Sequence, residues 1–213
     1  MIDLIIIGMG TLAGLIFFKR IEPAWFAVFV PYLFITFTVE FTVAKNWFGI
    51  QQHSNLLYNI FTSFEFCFYF WLFFKSFKTR TLKKAALVAI PVFLAIAAVN
   101  IIFIQGYNRF HTISYRIATL AIVFFCYRYY RQLLSLETEV NVLRTPMFWV
   151  ASGLLFFYAG FFFYFSAFDY VAYTKSTLNL QVWKILSRSL NVLLYSFFFI
   201  AITCNLKPSN YSR

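Results

Sequence analysis

The feature that most constrains this chain is a succession of apolar runs, each about 17–25 residues long, separated by short polar links. A helix rises about 1.5 Å per residue, so runs of this length can cross the hydrocarbon core of a bilayer. In hydrocarbon every backbone N–H and C=O needs an internal partner, which leaves helices and closed barrels. Barrel strands alternate apolar and polar residues over about ten positions, and these runs do not. The aromatic content points the same way, because a water-soluble fold of 213 residues could not bury 32 Phe and 14 Tyr. The chain is therefore read as all-α, a polytopic membrane helix bundle forming one domain over residues 1–213.

Seven transmembrane helices are expected, at about 2–18, 23–44, 55–76, 85–104, 111–130, 147–168 and 180–204. Pro23 and Pro146 suit first turns, where the missing N–H has no partner to lose. Pro31 is expected to kink the second span. Lys and Arg set a direction. Twelve of them flank one side of the spans, against Lys45, Arg109 and Lys175 on the other. The positive-inside rule then places the N-terminus outside and the C-terminus in the cytoplasm. A formal charge of +11 would suggest nucleic acid in a soluble protein. Here the cations sit at the ends of apolar runs, as lipid headgroup contacts do, so no nucleic-acid partner is expected. Met1-Ile-Asp-Leu lacks the basic start of a cleaved signal peptide, and the first span is expected to be retained. Cys67, Cys126 and Cys204 fall within spans without metal or disulfide spacing.

Polar residues recurring at helical spacing inside spans mark inward faces. The seventh span carries Gln181, Lys184, Arg188, Asn191 and Tyr195; the third carries Asn55, Tyr58, Asn59, Thr62, Glu65 and Tyr69. The fifth adds Thr112, Arg116 and Thr119, and the second Tyr32, Thr36 and Glu40. Counted from the outer end at about 1.5 Å per residue, Glu40, Arg116 and Lys184 lie roughly 6–10 Å deep, Arg188 about 12 Å and Glu65 about 15 Å. A lone charge in hydrocarbon is costly, so Glu65 is expected to pair with Arg188 or Arg116, and Glu40 with Lys184. Three cations against two carboxylates leave one positive charge. The network either fixes helix register alone or forms a pocket for an anionic small molecule or lipid, whose acidic group an Arg grips well. A proton or cation path through Glu65 is the third possibility.

Other signals are weaker. Gly10 and Gly14 form a GxxxG spacing that suits close helix packing, within the bundle rather than between chains. His53 and His111 both lie at outer helix ends without a third ligand, so no metal or other cofactor is expected. Ser63, Ser152 and Ser187 have no histidine and acid at nucleophile spacing, so no catalytic constellation is indicated. A lysine in the seventh helix invites comparison with retinal proteins, but Lys184 lies too near the boundary for that role.

Several stretches together resemble a group of small Phe-rich seven-span inner-membrane proteins of Bacteroidota. They are Asn55-x-x-Tyr58-Asn59-x-Phe61 with Glu65, Phe110-His-Thr-x-Ser-Tyr115, Pro146-x-Phe148-Trp149 with Gly153, Leu155, Phe157 and Tyr158, and Asn191-x-x-x-Tyr195. The resemblance implies an inner-membrane location and the seven-span architecture, and brings no activity with it. Such proteins accompany sensor-kinase genes, which implies a signalling role and a sensor-kinase-like partner. The expectation is a sensory membrane protein with a polar pocket in its outer half, built from Glu40, Asn59, Glu65, Arg116, Lys184, Arg188, Asn191 and Tyr195. The alternatives are a small transporter or channel for a solute or proton, and a structural or accessory membrane subunit.

Overall fold

The structure is a computed structural model that describes residues 2–47, 54–106, 109–135, 141–174 and 177–207; at 163–174, 177–180 and 182–184 it describes the backbone course alone. Among these residues the chain is all-α. Seven α-helices follow in order: α1 (Ile2–Phe17), α2 (Phe29–Ala44), α3 (Ser54–Ser76), α4 (Arg80–Val99), α5 (Thr112–Leu134), α6 (Pro146–Thr174) and α7 (Thr177–Thr203). Five stretches, Ile2–Arg20, Ala24–Ala44, Ser54–Ser76, Arg80–Ile104 and Ile185–Thr203, are long and apolar enough to cross a membrane, and Pro146–Phe162 is a shorter apolar helix. The more polar α5 carries Arg116, Arg128 and Arg131. Large apolar side chains lie on the outside, Ile16 at 73% and Phe103 at 79% exposure. Water would penalise such a surface by about 25 cal/mol for each Å² of apolar area; lipid tails do not.

The helix ends differ from the sequence expectation where turn chemistry intervenes. Pro31 is the third residue of α2, and a 3-10 turn at Ala24–Val28 precedes it. Its missing N–H therefore falls in the first turn, where no bond is lost. α4 starts at Arg80 rather than 85, and its last turn, Asn100–Ile104, widens to a π-helix in which the Gln105 N–H reaches the Asn100 carbonyl. α6 runs on to Thr174 and α7 starts at Thr177, so the expected link at 169–179 is largely helical. No Gly or Pro lies in that stretch to stop either helix.

The helices group into two compact units, Met1–Phe41 with Glu139–Arg213, and Thr42–Thr138. In the first, α7 packs along both α1 and α6. Gly10 and Gly14 are buried and face Leu33 and Val30 of α2. A ring cluster forms its core: Phe26 stacks on Phe29 at 5.0 Å, and Phe29 meets Phe198 of α7 edge-on at 5.0 Å. At one end the link after α1 is stitched to the chain beyond α7. The Lys207 N–H donates to the Arg20 carbonyl, Glu22 N–H to Asn205 O, and Arg20 Nε to Lys207 O. α1 and α7 therefore run in the same direction, as two spans separated by an odd number of crossings must. In the second unit α3, α4 and α5 pack against one another, with Phe66 against Phe93 and Tyr115, and Phe70 against Phe125. In lipid, such packing rather than water exclusion holds helices together.

Candidate functional site

The polar residues expected from the sequence divide between the two units. Asn59, Glu65 and Arg116 belong to the unit of α3, α4 and α5; Glu40, Lys184, Arg188, Asn191 and Tyr195 belong to the other.

In the α3–α5 unit the polar groups gather where α4 turns into α5. The turn passes through Gly106, whose φ of +74° only a residue without a Cβ adopts freely. The first N–H groups of α5 lack helical partners, and α3 supplies one. Asn59 Oδ1 accepts from the His111 N–H at 3.0 Å, while Asn59 Nδ2 donates to the Arg109 carbonyl at 2.8 Å. Asn59, Thr62, Asn100, His111 and Ser114 are all buried. Asn100 Nδ2 donates to Gln105 Oε1 at 2.8 Å and Ser114 Oγ at 3.0 Å, and Gln105 Nε2 donates to Thr112 Oγ1 at 2.8 Å.

The His111 ring lies between two hydroxyls. Thr62 Oγ1, which donates its proton to the Tyr58 carbonyl, is 3.5 Å from Nε2. Ser114 Oγ is 3.1 Å from Nδ1 and 3.1 Å from the His111 carbonyl, to which it donates. Serine beside histidine invites a nucleophile reading, but the ring's far nitrogen faces a hydroxyl, not the carboxylate that would orient a base. Ser114 and His111 are also both fully buried. The cluster is a polar clasp joining three helices, with one acceptor, Asn100 Oδ1, left without a partner among the described residues. Its key members, Asn100 and Ser114, stand outside the periodic stripes. The signal that could have found them is an asparagine alone in an otherwise apolar span.

Glu65, half-buried on α3, accepts from the Tyr69 hydroxyl at 2.7 Å. Arg116 is exposed on α5. In the other unit Glu40 is half-buried, one turn beyond Thr36, whose hydroxyl bonds back to Tyr32 O at 3.0 Å. Tyr195 is buried against Phe198, and Asn191 satisfies its amide on the Ser187 carbonyl at 2.9 Å. The Lys184 side chain lies outside the described residues, as does His53.

Arg188 is placed differently from the expected buried network. It is exposed, and among the described residues it makes no hydrogen bond or ion pair. It lines a groove of about 710 Å³ along α7, beside Ile2, Ile185, Val192, Phe197 and Ile200. Ser196, also in the wall, spends its hydroxyl on the Val192 carbonyl at 2.7 Å. From Ile185 to Ile200 the groove runs about 22 Å at 1.5 Å per residue, with Arg188 near one end. The volume falls within the range of small-molecule sites, about 300–1,000 Å³. A long apolar channel with one cation at its mouth fits an amphiphile with an acidic head. Comparison of the chain with protein families, with curated proteins and with solved structures found no match.

Proposed function

We propose that the chain is a sensory membrane protein that holds an anionic amphiphile in the α7 groove. The observation that carries this reading is Arg188, an exposed cation with no partner among the described residues, on a channel whose lining is otherwise apolar but for Ser189 and Ser196. A guanidinium grips a carboxylate or phosphate through paired hydrogen bonds, and the groove below it takes an acyl chain. The balance of Lys and Arg across the spans supports an inner-membrane orientation with the Arg188 end outward. The resemblance to seven-span proteins that accompany sensor-kinase genes supports a cytoplasmic signalling partner, which a shift of α7 would reach.

Native mass spectrometry of the gently extracted protein tests the reading. The expected result is a co-purifying acidic lipid or fatty acid, retained about tenfold less by Arg188→Gln, the worth of one charge-assisted contact. Equal retention by both proteins would reduce the groove to ordinary lipid packing. Solute flux in liposomes abolished by Glu65→Gln would favour transport instead.

A further inference from the structure

A second site lies in the α3–α5 unit, at the end opposite the polar clasp, and it does not depend on the groove reading. The start of α4 and the end of α5 enclose a cavity of about 390 Å³ lined by Thr79, Leu82, Arg128, Arg131, Gln132 and Ser135. From these positions we infer a binding site for a phosphate group.

Four observations converge on it. Arg128 Nε is buried and has no hydrogen-bond partner among the described residues; a buried donor left so costs about 1–3 kcal/mol unless something accepts from it. The start of α4 is open as well. Thr79 is its N-cap, yet no side chain caps the helix, so the first-turn N–H groups and the positive end of the helix dipole face outward unused. Acceptors at the cavity are already taken. Gln132 Oε1 accepts from the Lys78 N–H at 2.7 Å, the Gln132 carbonyl from Ser135 Oγ at 2.9 Å, and the Arg131 carbonyl from the Ser135 N–H at 3.2 Å. What remains free is donors. Finally, among the described residues no carboxylate lines the cavity.

A wall of donors with its acceptors occupied suits an oxyanion and repels a cation. Two guanidiniums beside a helix N-terminus match the several oxygens of a phosphate monoester better than a single carboxylate. Gln132 has the scaffold role: its Nε2 donates to the Ser76 carbonyl at 3.3 Å, so its amide ties the α3–α4 link to α5 and sets the cavity's width. Lys75, Lys78, Arg80, Lys83 and Lys84, on the same link and its flanking turns, add a positive field that gathers anions. The phosphate has two possible sources, a membrane lipid headgroup or a free ion, and one experiment separates them.

The purified full-length chain is titrated with inorganic phosphate in a neutral detergent. Separately it is placed in nanodiscs of phosphatidylcholine with or without a small fraction of phosphatidic acid, and thermal unfolding is followed in both arms. Stabilisation in the first arm identifies a free phosphate site. Stabilisation only by phosphatidic acid identifies a headgroup site. In either arm Arg128→Gln should weaken the response at least about tenfold, and the exposed Arg131→Gln should also weaken it. Arg144→Gln, basic but outside the cavity, should leave it unchanged. If Arg128→Gln does not fold, Arg131→Gln carries the test alone. The inference is overturned by no stabilisation in either arm. Equal weakening by Arg144→Gln would overturn it too, since the response would then be general charge attraction.

Discussion

At the scale of single residues, the decisive fact is where each polar side chain spends its hydrogen bonds. Asn59 is the clearest case, since its one amide serves both the carbonyl before α5 and the first N–H of that helix. Asn59→Ala removes both bonds and leaves the buried His111 N–H unpaired, at about 1–3 kcal/mol. The neighbouring Ile60 is 63% exposed, and Ile60→Ala should shift stability by no more than about 0.5 kcal/mol. Thermal unfolding of both variants in one detergent checks the contrast; equal midpoints would remove Asn59 from the clasp. Asn59 was legible because it recurs with Thr62 and Glu65 on one helical face. Asn100 and Ser114 were not, because a hydrogen bond between α4 and α5 leaves no periodicity in either helix. Arg188 shows the opposite error: its spacing matched a polar stripe, and only the surrounding chain reveals that this part of the stripe is exposed.

At the scale of helices, close approach is set by what faces each glycine. A Cβ at Gly14 would stand 2.8 Å from Val30 Cγ2 and 3.0 Å from Cγ1. Val is stiff at χ1 and cannot swing both methyls away. At Gly153 the obstacles are Phe197 Cβ at 3.1 Å and the Leu194 carbonyl at 3.4 Å, which are tied to the α7 backbone. At Gly160 the nearest atoms, at 2.7 and 2.8 Å, are the terminal methyls of Leu190, which another rotamer can move. Gly14→Ala and Gly153→Ala should therefore destabilise by about 1–3 kcal/mol, and Gly160→Ala by less. The gain in helix propensity, about 1 kcal/mol, is common to all three and does not change the order. Unfolding midpoints rank them, and a most damaging Gly160→Ala would refute the argument. GxxxG spacing pointed to packing within the chain, but the partner helix and the hard neighbours needed the fold.

At the scale of the whole molecule, topology is the open prediction. The excess of basic residues on one side predicts a cytoplasmic C-terminus. A fluorescent-protein fusion after Arg213 should fluoresce, and an alkaline phosphatase fusion at the same point should stay inactive. An active phosphatase would invert the topology and turn the Arg188 end of the groove inward. The shared direction of α1 and α7 matches the expected crossing parity, although it does not choose a side. Exposed Lys207 and Glu22, 3.3 Å apart at that junction, contribute little by themselves, about 0–1 kcal/mol for a surface pair. The backbone bonds beside them do more to define it.

The sequence by itself determined the solvent, the helices and their approximate ends. Each of these follows from local quantities: the length of an apolar run, the rise of a helix, and the scarcity of charge along it. Only the tertiary structure decided that the polar residues form a clasp in one unit and an exposed groove in the other. It alone paired the basic ends of α4 and α5 around a cavity of unused donors. Those outcomes depend on which faces of different helices meet, and the spacing within one helix carries no record of its neighbour's rotation.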